Sequence, residues 1–432
     1  MMPRGAKCCP GSGNPFKREN GAVPRAPPLT MRRHRRSESQ MNDVAALGFG
    51  MHPWGKFPEK RLNDICRVAV ESALGDAGIA WKEVEAVCAA SSRFSGGKGW
   101  GLNGNDVVED MGSTGVPVYN MSAGCAAGSN AFNVGYTMIK SGIHDVVLVV
   151  GGEKMPKGFI QTSGLEDETD PEYLRQRCVG LPGPGFWAML TRARMEEYGT
   201  TEEDLAAVAV KAHQVGTHNE NARFRQLFSL EDVLNSNMVS HPLRLYEICP
   251  VSDGAAAVVL CSAEFARKKT TQPIWAASTA VATARFDDGL PRGLACVPGE
   301  GRPHHSEARI SVAKALEAAD LGPKDLDFVE LQDNTVYYEL AFPEEWGMCK
   351  PGESERLLHA GETLPTGRMP INPSGGFLCF GEATTAQGLF QICEVGWQLR
   401  GECGPRQVPN ARVGMAQSIG LGGNGTAAIL KR

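Results

Sequence analysis

The sequence of 432 residues predicts an α/β protein assembled from two similar halves. Residues 69–87 align without a gap with residues 311–329, about 240 positions later. In each half, a turn of small residues that begins with asparagine precedes a helical stretch. Two long apolar runs also have the composition of strands that are buried on both faces. Repetition of ordered features at this distance indicates a duplicated architecture.

The first predicted strand begins near Met41. Residues 1–40 contain nine Lys or Arg and two Glu, a net charge of +7, whereas the rest of the chain carries −12. This leader lacks the apolar segment of a secretory signal. We expect it to take no part in the fold, whether it is a disordered extension, a transit-like peptide or non-native sequence, and we do not interpret it as a nucleic-acid site.

The repeated unit is predicted to be a helix, a short turn and a strand. The apolar residues of the first copy recur at helical spacing, and the strand is entered through Val84 and Val87. Six residues are identical in the second copy: Val70, Ala73, Leu74, Ala77, Lys82 and Val87.

The remaining elements follow in chain order. Asn120–Cys125 and Asn372–Gly376 each precede a helix, and Asp145–Gly152 and Cys249–Leu260 contain buried strands. The more polar stretch between them predicts an inserted loop domain at about 153–245, with a helix at Thr201–Ala212. The predicted halves are therefore residues 41–275, which include this insertion, and residues 276–432.

Composition excludes several classes of protein. No apolar run approaches the roughly 18 residues that a membrane span needs, and the 42% of hydrophobic residues exclude a disordered chain. The 13 cysteines form no C-x-x-C pair, so we predict no zinc site, no disulfide framework and a reducing, cytoplasmic location.

Cys125 is the strongest candidate for chemistry. Small residues surround it from Ser122 to Ser129, and a helix-compatible stretch follows. This pattern fits a tight turn that places the sulfur at a helix N-terminus, where unpaired N–H groups would favour the thiolate and hold an oxyanion. On local sequence alone, a buried packing cysteine is an equal alternative.

From Met41 onward the chain resembles the thiolase superfamily, especially the branch of sterol-carrier-protein thiolase and the bacterial lipid-transfer-like proteins. The resemblance implies a five-layered αβαβα sandwich of two α/β halves with an inserted loop domain, acyl-coenzyme A substrates and a homodimer. It depends on these ordered stretches: Asn120–Phe132, Gly151–Met155, Cys249–Leu260, Asn372–Gly376, Gln398–Glu402 and Ser418–Gly423.

The resemblance assigns roles at two positions. At the family's other motifs, this sequence has different residues. The resemblance makes Cys125 the nucleophile and Gly420 a backbone oxyanion donor. Gln332 and Asn334 stand where family members have a His-Asp-Cys-Phe or an Asn-Glu-Ala-Phe motif. Glu382 stands where they have the histidine of a Gly-His-Pro motif. Glu382 is therefore the candidate acid and base, with Cys379 as a second candidate that more often would be a packing thiol.

The predicted reaction is thiolysis of a bulky 3-oxoacyl-coenzyme A, aromatic or lipid-derived, with coenzyme A as co-substrate and no permanent cofactor. Arg223, Arg225 and Ser252 are assigned to coenzyme A binding. Two alternatives remain open: retro-aldol cleavage of a 3-hydroxyacyl-coenzyme A, with Tyr337 and Tyr338 as tyrosines of interest, and a non-catalytic acyl-coenzyme A subunit. The resemblance also implies a small OB-fold, zinc-ribbon partner.

Overall fold

The computed structural model describes residues 43–91, 102–155, 183–270, 272–284, 306–420 and 423–432. The predicted leader and residues 156–182 of the predicted loop domain lie outside these ranges. Among the described helices, none is both long and apolar enough to cross a membrane.

Eleven strands and twelve helices are described. The strands are β1 Val44–Gly55, β2 Ala86–Ala90, β3 Val118–Met121, β4 Val146–Lys154, β5 Met238–Ser240, β6 Leu243–Arg244, β7 Asp253–Ser262, β8 Ile274–Ala282, β9 Phe328–Glu330, β10 Val413–Gly420 and β11 Asn424–Lys431. The helices are α1 Leu62–Ala77, α2 Gly104–Met111, α3 Ala127–Lys140, α4 Gly183–Tyr198, α5 Glu202–Gly216, α6 Leu230–Leu234, α7 Ala263–Lys269, α8 Glu307–Ala319, α9 Val336–Glu345, α10 Ser354–His359, α11 Gly376–Phe380 and α12 Gln387–Arg400.

Nine strands form one mixed sheet in the order β3-β2-β4-β7-β1-β8-β11-β10-β9. β1 and β8 pair antiparallel where the halves meet, from Val44 opposite Ala276 to Ala46 opposite Ile274. Outward from this junction the strands of the two halves correspond: β7 to β11, β4 to β10 and β2 to β9. In the second half, the equivalent of β3 is reduced to a parallel bridge between Val329 and Ile371. This order confirms the predicted duplication.

The repeated unit adopts the same structure in both copies, at a constant offset of 242 residues. α1 ends at Ala77 and α8 at Ala319, and each is followed by a left-handed residue, Gly78 (φ 62°) and Asp320 (φ 56°). A short 3-10 turn follows in each copy: Trp81–Glu83 and Pro323–Asp325. The predicted helix, turn and strand are thus confirmed.

The central helices α3 and α12 pack against each other and against the sheet, and they contribute Phe132 and Phe390 to its largest hydrophobic core. The segment predicted as a loop domain contains α4, α5, α6 and the β5–β6 pair among its described residues. α5 covers the helix predicted at Thr201–Ala212, with Thr201 as its N-cap, and continues to Gly216. The predicted domain limits stay predictions, and the division at 275/276 falls just inside β8.

Candidate active site

Cys125 lies in the turn between β3 and α3. β3 ends at Met121, the 3-10 turn Gly124–Ala126 follows, and the 14-residue helix α3 begins two residues after the thiol. Gly124 has a φ of 56°, the left-handed region that glycine adopts without strain. The turn therefore places Cys125, which is buried, at the positive end of a helix dipole.

Glu382 comes to Cys125 from the other half of the chain. α11 ends at Phe380, and the Glu382 backbone forms a parallel bridge with Val251: its N–H donates to Pro250 O (2.6 Å) and its carbonyl accepts from Ser252 N–H (2.8 Å). The Cys125 thiol donates to Glu382 Oε1 across 3.4 Å. Thiol and carboxylate therefore face each other where the two halves meet.

Two side-chain amides support this carboxylate. Asn334 Nδ2 donates to Glu382 Oε1 at 3.0 Å, and Gln332 Nε2 donates to Asn334 Oδ1 at 2.6 Å. Gln332 Oε1 in turn accepts from the backbone N–H of Ile419 at 2.7 Å. All four side chains, of Cys125, Glu382, Asn334 and Gln332, are buried.

Burial raises the pKa of the Glu382 carboxyl group because it removes the charged form from water. Three neighbouring side chains oppose that rise: Cys125, Gln387 and Asn334. A carboxyl group whose pKa moves toward neutrality exchanges protons readily near neutral pH. The chemistry of Glu382 therefore fits a group that takes a proton from a thiol and later returns it.

Gly420 ends β10 directly against the turn that holds Cys125. A Cβ added at this position would lie 2.0 Å from Ala123 O and 3.0 Å from Ala126 N, so no other residue fits without displacing the turn. The role of Gly420 as an oxyanion donor stays a prediction, and its backbone is adjacent to the segment that presents the sulfur.

Of the three residues assigned to coenzyme A, Arg223 and Ser252 lie beside the segment that holds Glu382, and Arg225 is exposed. Arg223 Nη1 contacts Val251 O and lies 3.4 Å from Ser252 Oγ, while Ser252 Oγ donates to Phe380 O at 2.6 Å. These contacts brace both sides of the bridge that holds Glu382. Arg225 Nε donates to Thr217 O at 3.4 Å. Their assignment to phosphate binding stays a prediction.

Two further residues near Glu382 did not emerge from the sequence. Cys249 Sγ accepts from Asn334 Nδ2 at 3.7 Å, and burial, with the nearby Glu382 charge, raises the pKa of its thiol well above the usual range. Gln387, the first residue of α12, is fully buried beside Glu382. The one signal in the sequence that could have indicated Gln387 is its position at the start of the helix that follows Gly381.

Other candidates pack elsewhere. Cys379 Sγ donates to Ala212 O at 3.3 Å, so it contacts α5 of the loop segment. Tyr337 and Tyr338 belong to α9 and form an edge-to-face pair in a hydrophobic core, with ring centroids 5.3 Å apart. Within the described ranges, no group of three or more His, Cys, Asp or Glu residues could hold a metal ion.

Comparisons with known proteins agree with this architecture. Two family models match: "Thiolase, N-terminal domain" over residues 44–264 and "Thiolase C-terminal domain-like" over residues 301–432. An acetyl-CoA acetyltransferase of Methanothermobacter thermautotrophicus is 35% identical, over 90% of this chain and 99% of that protein. Sterol carrier protein 2 of Bos taurus is 31% identical, over 90% of this chain and 72% of that protein.

Solved structures share the fold. An Ltp2-ChsH2(DUF35) aldolase matches with a TM-score of 0.76 and 24% identity, over 90% of this chain and 97% of that chain. Human mitochondrial 3-ketoacyl-CoA thiolase in complex with CoA matches with a TM-score of 0.65 and 17% identity, over 91% and 99%.

Proposed function

The chain belongs to the thiolase family, and on that premise we propose that it is an acyltransferase that cleaves a 3-oxoacyl-coenzyme A with coenzyme A through an acyl group on Cys125. The observation that carries the proposal is the 3.4 Å contact between the Cys125 thiol and Glu382 Oε1. It pairs a nucleophile with a base inside one buried cluster.

In the first half-reaction, Glu382 accepts the Cys125 proton and the thiolate attacks the 3-keto carbon. The oxyanion that forms is stabilised by backbone N–H groups, for which the turn at Cys125 and the neighbouring Gly420 are the candidates. The bond between C2 and C3 then breaks. The enolate of the leaving acyl-coenzyme A takes the proton from Glu382, and the remaining acyl group stays on Cys125 as a thioester.

In the second half-reaction, the acyl group moves from Cys125 to free coenzyme A. Its thiol gives its proton to Glu382, its sulfur attacks the Cys125 thioester, and Cys125 leaves as a thiolate that regains the proton. The net result is two acyl-coenzyme A molecules and an unchanged enzyme. Gln332 and Asn334 hold Glu382 in place through both steps, and Arg223, Arg225 and Ser252 are proposed to meet coenzyme A.

We further propose that the acyl group is bulky, aromatic or lipid-derived, as in the branch that the sequence resembles. The test is turnover of short linear and of aromatic 3-oxoacyl thioesters by the purified protein, measured as loss of the 3-oxoacyl absorbance and release of acyl-coenzyme A. A preference for short linear chains would contradict this part of the proposal.

Cys125→Ala is expected to abolish thiolysis, and Glu382→Gln to lower kcat by about 10²–10⁴-fold. Without coenzyme A, mass spectrometry should find the acyl group on Cys125. Cys261→Ala, which removes a buried thiol from β7, is the matched control and should retain turnover. Cleavage of a 3-hydroxyacyl thioester to an aldehyde or ketone that survives Cys125→Ala would overturn the proposal in favour of an aldolase.

Assembly is also a proposal. β3 ends the described sheet and leaves one strand edge without a neighbour among the described residues, with Tyr119 exposed on it. An open edge of this kind favours pairing with a second copy, which supports a homodimer. A small zinc-ribbon partner is proposed from the resemblance, and the name of the similar structure, "Ltp2-ChsH2(DUF35) aldolase", includes a second component. Light scattering compares the parent with Val118→Pro, whose lost N–H faces the open edge because the alternate residues Pro117 and Met121 bond β2. A dimeric parent and a monomeric variant would support pairing through this edge. Copurification of the protein with a small partner from its own organism tests the zinc-ribbon partner.

A further inference from the structure

The hydrogen bonds around Glu382 have a fixed direction. A backbone N–H can only donate, so the Ile419 N–H fixes Oε1 of Gln332 as its acceptor and leaves Gln332 Nε2 as the donor to Asn334 Oδ1. Asn334 then has only its Nδ2 donor to offer Glu382. This relay settles which atom of each amide is oxygen and which is nitrogen.

Glu382 Oε1 is consequently saturated when the thiol is protonated. It accepts from Asn334 Nδ2 at 3.0 Å and from the Cys125 thiol at 3.4 Å, which occupies both of its lone pairs. A proton that Glu382 carries in that state must lie on the other oxygen, Oε2. Oε2 is buried and has no hydrogen-bond partner among the described residues.

The Gln387 side chain lies beside this carboxyl group and lowers its pKa as a hydrogen-bonding neighbour. Gln387 is fully buried in the first turn of α12, and within the described ranges neither its Nε2 nor its Oε1 makes a hydrogen bond of regular geometry. Burying both ends of an amide without partners is costly, at about 1–3 kcal/mol for each group. The amide is therefore not held in one orientation by a hydrogen bond of regular geometry to any other described group.

We propose that Gln387 is a positioning residue that binds Oε2 of Glu382 in both of its protonation states. When Glu382 is a carboxylate, Gln387 Nε2 donates to Oε2; when Oε2 carries a proton, the reoriented amide accepts it at Oε1. Because an amide is donor and acceptor at once, it can follow the proton, whereas the locked Asn334 cannot. The inference deepens the proposed acid and base role of Glu382.

The test follows the reactivity of Cys125 and needs no substrate. Alkylation of Cys125 by iodoacetamide, read as its modified peptide by mass spectrometry, should accelerate as pH rises through the ionisation of Glu382, since the carboxylate accepts the thiol proton. Glu382→Gln should remove this inflection. Gln387→Leu keeps the side-chain size and removes a donor to the carboxylate. The Gln387→Leu variant should have its inflection about one pH unit higher than the parent. At pH values below the inflection, its Cys125 should be alkylated about tenfold more slowly than in the parent.

Gln391→Leu is the matched control. Gln391 lies one turn later on the same face of α12, and its amide accepts from Ser418 Oγ at 2.7 Å, so the inflection should stay at the parental pH. Gln387→Met is the second variant if Gln387→Leu unfolds. An unchanged inflection in a folded Gln387 variant, or an equal shift in Gln391→Leu, overturns the proposal. Absence of thiolysis together with a shifted inflection would refute the proposed reaction and retain the role of Gln387.

Discussion

Glu247 is a single buried carboxyl group whose ionisation should register in the stability of the whole chain. Burial raises its pKa to about 7 from an ordinary 4.5, although Oε2 accepts from the Arg244 N–H at 2.7 Å. A raised folded-state pKa means that the folded protein binds the proton more tightly than the unfolded chain. The stability that this provides is full below about pH 4.5 and is lost as pH rises through about 7.

Glu247→Gln keeps an oxygen for Arg244 and removes the charge. We expect the variant to lose less stability than the parent between pH 4.5 and 8, by a difference on the order of 2–3 kcal/mol. Urea unfolding of both proteins at several pH values measures this difference. Parallel pH profiles of the two proteins would show that Glu247 ionises as easily in the fold as in the unfolded chain.

At the same scale, the sequence predicted individual site residues where a local pattern determines geometry. Cys125 could be predicted because a run of small residues before a helix specifies a turn. Glu382 was predicted from the resemblance, as the residue that stands in place of the Gly-His-Pro histidine. Cys249 could not be predicted, because its place near Glu382 depends on how distant segments meet; Cys249 and Asn334 are 85 positions apart. Gln387 is close to Glu382 in the sequence, but no residue pattern shows that its side chain turns toward the carboxyl group.

At the scale of elements, one buried ion pair connects α5 of the loop segment to α9 of the second half. Lys211 Nζ lies 2.5 Å from Glu339 Oε1 and donates to Ile371 O at 2.8 Å, and both side chains are at most 5% exposed. Burial raises the pKa of Glu339, and Lys211 opposes the rise. Removing one partner of such a pair leaves the other charge uncompensated, which costs about 3–5 kcal/mol.

Lys211→Met should therefore destabilise the protein by about that amount, with part of the loss recovered at low pH, where Glu339 binds a proton. The double variant with Glu339→Leu should recover most of the loss at all pH values, because two apolar side chains can replace a buried pair. Urea denaturation of the parent, both single variants and the double variant gives the coupling energy. A loss below about 1 kcal/mol in Lys211→Met would contradict a desolvated pair.

For the whole molecule, the repeat predicted the duplicated fold in detail, since the turns after α1 and α8 fall at equivalent positions, and the resemblance to thiolases is confirmed. The pairing of β1 with β8 could not be predicted. A period-two or helical pattern tells which face of an element is buried, but not which strand of another half lies beside it. The residue pattern also did not predict that the last strand of the second half is reduced to one bridge at Ile371.

The contact of the two halves depends on glycine where α3 and α12 cross. A Cβ on Gly388 would lie 1.8 Å from Ser129 Oγ and 2.9 Å from Ser129 N, and a Cβ on Gly128 would lie 2.8 Å from Thr385 O. The helices thus meet backbone to backbone, one turn after Cys125. Any separation of them also moves Cys125 away from Glu382.

Gly388→Ala should accordingly destabilise the protein by about 1–3 kcal/mol, as overpacked cores do, and slow the alkylation of Cys125. Gly75→Ala is the matched control: Gly75 lies within α1, an added Cβ meets nothing within 4 Å, and helix propensity predicts a gain of about 0.5–1 kcal/mol. Ser129→Ala should restore part of the stability of Gly388→Ala, because it removes the oxygen nearest the new methyl group. If both glycine variants were stabilised alike, the halves would not be in backbone contact at Gly388.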